Sequence, residues 1–199
     1  MTTKKHRRSE DAKDKKKKKS TKIIYLSAII GSIVIVLVLL FIVLFSEPLK
    51  VKERQLAIIW FSDQQELLLV GEKRYIIKET NAAAQAKEVV QALLEGSKEK
   101  NINTFPAGVT LRDVKIDEAG IAYVNFTSSL TKLHPGSSST EMASINSLTN
   151  TLTQNVPQIK KVKILVEGNE LATIKGHIST SKAFLPNPDL IVPLKEEKS

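Results

Sequence analysis

The sequence predicts an α+β protein: a single N-terminal transmembrane helix followed by one domain of largely antiparallel sheet with two helices packed on one face. Three observations carry this. Residues Ile23 to Phe45 contain no charged side chain in 23 positions. Two later stretches, near 81–95 and 138–155, place apolar residues at helical spacing. Each is followed by short apolar runs around a Gly-containing turn, the pattern of a hairpin. Helices and hairpins with one apolar side each must bury it against one another, which gives the α+β class.

Charge is concentrated ahead of the first apolar run. Residues 1–22 hold 11 Lys or Arg against three acids, eight of the chain's nine net positive charges. The basic character therefore describes a disordered tail rather than the fold. A helix over Ile23 to Phe45 would be about 35 Å long, enough to cross a hydrocarbon core of about 30 Å. The run is longer than the apolar stretch of a cleaved signal peptide and ends Phe-Ser-Glu-Pro, so it reads as a signal anchor with the lipid bilayer as its partner. The basic flank keeps the N-terminus in the cytoplasm and sends the rest out, and the run Lys15 to Lys19 faces anionic lipid headgroups. The adjacent span accounts for the lysines, so no nucleic-acid partner is expected.

Residues 46–54 read as a linker, with Pro48 stopping the helix. Gln55 to Phe61, Glu66 to Val70 and Arg74 to Lys78 read as strands, joined by turns at Ser62-Asp63 and Gly71-Glu72. Asn81 to Glu95 is a helix with Ala86, Val89, Val90, Leu93 and Leu94 on one stripe, capped by Thr80 or Asn81 and ended at Gly96. Leu111 to Ile116 and Ile121 to Phe126 form a hairpin around residues 117–120. Ser138-x-x-Glu141 reads as a capping box for a helix to Asn155, with Met142, Ile145, Leu148 and Leu152 on one side and Pro157 beyond its end. Val162, Ile164 and Val166 alternate with Lys161 and Lys163, and Gly168-Asn169 turns into Leu171 to Ile174. The order helix–hairpin thus occurs twice. The domain runs over 55–185, and 186–199, rich in Pro and charge, reads as a flexible C-terminal tail.

Little of this carries catalytic chemistry. With no cysteine there is no disulfide, thiolate nucleophile or Cys-ligated metal. The three histidines are far apart in sequence, and no carboxylates stand at ligand spacing, so neither a metal nor a cofactor is expected. His134 stands just before Ser137, Ser138 and Ser139, but without a G-x-S-x-G elbow the segment reads as a polar loop leading into a helix cap. Trp60, Phe61, Tyr75, Tyr123 and Phe126 are scattered and read as core rather than as a stacking platform.

Three stretches of the exported part resemble the GerMN domain of bacterial sporulation and germination proteins. They are Leu56 to Ile76, a strand–Asp turn–strand opening; Phe105 to Leu130, a Pro-Gly turn, a strand, an acid-Gly turn and a strand ending Asn-Phe-Thr; and Ser144 to Ser179, with its Asn-Thr-Leu-Thr helix and closing Gly-His pair. The resemblance covers Gln55 to about Phe184. Gly71-Glu72 departs from a common Pro-Glu, and Ser179 from a common acid. The resemblance implies a non-enzymatic module that assembles beside envelope proteins or itself. It also marks Gly168, Gly176 and His177 as family-signature positions with structural roles.

The expected function is therefore an extracytoplasmic, membrane-anchored scaffold of the bacterial cell envelope, in sporulation- or germination-type assemblies. A binding module for an envelope ligand such as peptidoglycan is the alternative, and a hydrolase using His134 and Ser137 the least supported reading.

Overall fold

A computed structural model of the chain describes residues 25–44 except 28, and 52–193 except 66 and 67. The basic tail, Phe45, most of the 46–54 linker with Pro48, and 194–199 lie outside the described residues. The chain divides into two compact units, residues 1–51 and 52–199. In the first, helix α1 (Tyr25–Leu44, 20 residues, mean hydropathy 3.2) is long and apolar enough to cross a membrane by length and composition.

The second unit runs β1 (Arg54–Ser62), β2 (Leu69–Ile77), α2 (Ala82–Leu94), β3 (Leu111–Ile116), β4 (Ile121–Phe126), α3 (Ser129–Leu133), α4 (Ser138–Asn155), β5 (Lys161–Val166) and β6 (Asn169–Glu170). The class is α+β, but the strands form two sheets, β1-β2 and β3-β4-β5-β6. The second sheet is mixed, because β4 and β5 pair in parallel. The reason is topological: α3 and α4 lie between them, and a strand–helix–strand crossover brings the chain back in the same direction. Short α3 escaped the sequence reading, since five residues hold barely one turn of periodicity.

Apolar side chains of both sheets meet α2 and α4 in one core that includes Ile59, Phe61, Val89, Leu93, Val124, Phe126, Leu148 and Ile164. Helix α2 forms as its sequence predicts. Asn81 Oδ1 accepts from the amides of Ala83 and Ala84, and Ala86, Val89, Val90 and Leu93 are buried. The β3–β4 hairpin also lies where expected, with a register shift between Leu111 and Asp113.

Strand β2 corrects one expectation. It continues through Gly71 and Glu72, which pair with Trp60 and Ile59, so no turn lies there. Residues that usually mark a turn are used instead to place a carboxylate inside: Glu72 is 1% exposed.

Helix α4 is polar in sequence yet buried, and β1 explains why. The amide of Lys78 donates to Glu53 O and that of Asp63 to Leu68 O, so odd-numbered residues of β1 exchange hydrogen bonds with β2. Even-numbered residues must then turn their main-chain groups the other way. Asn155 of α4 meets Ile58, accepting from its amide (2.9 Å) and donating to its carbonyl (2.6 Å). Thr151 accepts from the Trp60 amide at 3.0 Å, and Ser147 donates to Trp60 O at 2.6 Å. Ser62 exchanges both bonds with Ile102. One turn-spaced stripe of α4 thus stands where a neighbouring strand would, leaving no bare edge over Ile58 to Ser62.

Further corrections concern the C-terminal half. The box that starts α4 is Ser137 with Thr140, not Ser138 with Glu141. Met142 is 42% exposed and does not share the buried side of Ile145, Leu148 and Leu152. Lys163, expected on an outer face, is 4% exposed because its ammonium is held by Thr180 O, Ser181 O and Glu170. The β5–β6 turn is Glu167-Gly168, both at positive φ (52° and 81°), and β6 lasts only two residues. Leu171 to Ile174 makes a single bridge, Thr173 to Ser179, rather than a strand. Part of the expected flexible tail is built in as well: Ile191 bridges to Leu69, and the Asn187 amide donates to Asn150 Oδ1.

Candidate functional site

The first turns of α4 and the loop 102–107 border a cleft of about 240 Å³, which Phe105, Pro106, His134, Pro135 and Ala143 help to line. A second depression of about 110 Å³ lies against Leu68, Leu69, Met142, Ala143 and Leu190. Ser62 and Ala143 border both. The two hollows therefore flank one ridge, with exposed Met142 and Leu68 (42% and 38%) beside it.

His134 stands in the loop leading into the α4 cap and is 3% exposed. The Gly136 amide donates to its Nδ1 at 3.2 Å, which leaves the ring proton on Nε2. Nε2 then donates to Ser144 Oγ at 3.0 Å, and Ser144 Oγ donates to Thr104 O. Burial holds the His134 pKa below its ordinary value, only partly offset by the nearby Glu141 carboxylate. The neutral ring pins the loop at Thr104 to α4. Ser137 is occupied at the helix cap, accepting from the Thr140 amide. His134 and Ser137 therefore form no nucleophile–base pair.

Two carboxylates serve loops in the same way. Glu141 is fully buried and accepts from the amides of His177 and Ile178 (both 3.1 Å) and faces His177 Nδ1 at 2.9 Å. Burial pushes its pKa up, but these donors outweigh burial and hold it below the usual range. Glu72 accepts from Arg74, from Ser97 Oγ, from the amides of Lys98 and Glu99, and from Asn101 Nδ2. Burial again opposes ionisation, yet the donors bring its pKa down to about 2. Each acid replaces water for a run of main-chain donors that a loop cannot satisfy itself.

Gly176 and His177 are adjacent in the loop that Glu141 holds; Gly176 has φ of +111° and donates its amide to Thr173 Oγ1. Gly168 lies apart from them, in the β5–β6 turn, where its amide meets Asn125 Oδ1. Sequence reasoning missed Glu72, Glu141, Ser144 and Lys163. For Glu141 a signal existed, an acid four residues past the cap, but it was absorbed into the wrong capping pattern. Among the described residues, no three His, Asp or Glu side chains gather as a metal site.

The model of the Germane family, described as sporulation and spore germination, matches residues 58–172. No curated protein matches. Among solved structures, the first GerMN domain of the sporulation protein GerM from Bacillus subtilis is similar at 22% identity and a TM-score of 0.54, over 68% of this chain and 99% of that one. The tandem GerMN domains of the same protein align at 20% identity and 0.54, over 69% of this chain but 48% of theirs, so the chain spans about half of that tandem. A candidate lipoprotein from Clostridium perfringens aligns at 22% identity and 0.48, over 74% and 98%. At these identities the likeness is one of fold.

Proposed function

The chain belongs to the Germane family of sporulation and spore germination domains, its 52–199 unit sharing the GerMN fold, and from that premise we propose a non-enzymatic, membrane-anchored scaffold. In this reading α1 holds the protein in the cytoplasmic membrane, the basic N-terminus stays inside, and the GerMN domain binds another envelope protein on the far side. The α4 ridge with its two hollows is the contact face.

One observation carries the reading. The buried ionisable groups beside the cleft are spent on the fold: His134 ties Thr104 through Ser144, and Glu141 ties His177 and Ile178. The cleft is left with shape and apolar lining, from Phe105, Pro106, Pro135 and Ala143. Such a surface supports recognition, whereas catalysis requires a group poised toward a substrate.

Photo-crosslinking in cells from position 142, with position 118 as control, tests this. A defined envelope protein captured from 142 and not from 118 is the expected result. Equal capture from both positions, or wall fragments alone, would overturn it, and the second outcome would move the function to peptidoglycan binding.

A further inference from the structure

The β1–β2 hairpin has two unlike faces. One carries Ala57, Ile59 and Phe61 into the core. Alternation puts Arg54, Leu56 and Ile58 on the other, beside their cross-strand partners Ile77, Tyr75 and Lys73. Leu56 and Tyr75 stand directly opposite each other, 50% and 72% exposed, with Ile58 and Ile77 half-buried around them. The sequence reading placed Tyr75 in the core, yet it is more exposed than Leu56. Exposure falls along the strand from Leu56 to Trp60, which is 3% exposed. The apolar patch is therefore confined to the end of the hairpin where the chain enters the domain.

We propose that this patch, Leu56 and Tyr75 with Arg54 at its rim, docks on the lipid surface that α1 crosses. The proposal rests on the reading of α1 as a membrane span. Three arguments select lipid. First, only residues 45–51 separate the last described residue of α1 from the first of the domain. Fully extended, seven residues reach about 25 Å, which caps the distance from the end of α1 at which the domain can begin. Second, the patch offers one exposed aromatic and one exposed aliphatic side chain; an aromatic supplies about 150–250 Å², against the roughly 1,000 Å² of a stable protein interface. A tether removes that requirement, since a weak contact is saturated at the high local concentration the anchor imposes. Third, the chemistry is interfacial: a tyrosine with an apolar ring and polar tip, an aliphatic neighbour, and a cation at the rim that suits anionic headgroups.

The chain has no cysteine, so single labels can be placed directly. Full-length Lys73→Cys and Glu118→Cys proteins, carrying an environment-sensitive fluorophore, are reconstituted into vesicles of phosphatidylcholine and phosphatidylglycerol. Position 73 lies on the same face as the patch, opposite Ile58, and leaves Leu56 and Tyr75 in place. The vesicles contain headgroup-region spin-labelled lipid. The expected result is quenching several-fold stronger at 73 than at 118, and its loss when Leu56→Asp is added. Both positions are exposed, so neither label should disturb folding. Equal quenching at 73 and 118 in protein that resists alkaline extraction overturns docking while leaving the anchor intact. Protein that fails to resist extraction overturns the anchor and, with it, this proposal. Protection at 73 that rises with protein density without lipid quenching overturns it in favour of a second copy.

Discussion

Thr151 Oγ1 accepts the main-chain N–H of Trp60 at 3.0 Å, so a helix side chain does what a neighbouring strand would do. Both residues are buried, 0% and 3% exposed, and water cannot substitute. Thr151→Val keeps the shape and removes the acceptor. We expect a loss of about 1–3 kcal/mol, the cost of an unpaired buried amide. Thr151→Ser should recover most of it. Urea unfolding of detergent-solubilised protein, followed by the fluorescence of the single tryptophan, measures both. An unchanged midpoint for Thr151→Val would mean that the edge of β1 does not depend on α4.

Glu72 links stability to acid. Its carboxyl has a pKa of about 2 in the fold against 4.5 as a free side chain. Between those values the unfolded chain binds more protons, so stability rises with pH. The contribution is complete above 4.5 and is lost as pH falls toward 2. A shift of this size is worth on the order of 3 kcal/mol. Glu72→Gln should therefore weaken the protein near neutrality and make little difference near the lower limit. Hydrogen exchange should also speed up over 97–101, the loop whose amides Glu72 holds. Parallel loss at every pH would rule the linkage out.

These two sites also show what a sequence can and cannot disclose. Helix α2 and hairpin β3–β4 were legible because their apolar residues face one core and their turns carry the usual residues, Asn81 at the cap and Gly120 in the turn. The second sheet was not, since parallel pairing of β4 with β5 follows from a crossover and leaves no local pattern. At the site, the cap before α4 was expected one residue late, and Glu141 was assigned to it. The error has a physical source. A buried acid that serves a distant loop looks in sequence like a surface acid, because its donors at His177 and Ile178 are main-chain amides. Lys163 misled in the same way, alternating in β5 like an outward residue while its ammonium is held by carbonyls.

His134 should make the protein sensitive to mild acid. Burial lowers its pKa from the ordinary 6.5, so the native state binds fewer protons than the unfolded chain below that point. Stability is complete above about 6.5 and declines as pH falls through the lowered value, by at most about 1.4 kcal/mol per pH unit. His134→Gln can keep a donor to Ser144 and cannot titrate. Its unfolding free energy should therefore change less with pH than that of the wild type as pH falls below 6.5. Identical slopes in the two proteins would show that His134 does not set the response.

Ala143 offers a test of the contact face that does not depend on knowing the partner. Its side chain borders both hollows on the α4 ridge and is half-buried. Ala143→Phe should fill the cleft from its rim, and because the site opens to solvent the ring can turn outward instead of overpacking the core. The thermal midpoint should therefore move little, while crosslinking from position 142 to an envelope protein drops several-fold. A variant that keeps its stability and its crosslink would move the contact away from α4. A variant that loses both reports on folding, and Ala143→Gln, smaller and polar, then separates the two: its crosslink must fall while its midpoint holds if the ridge is the binding surface.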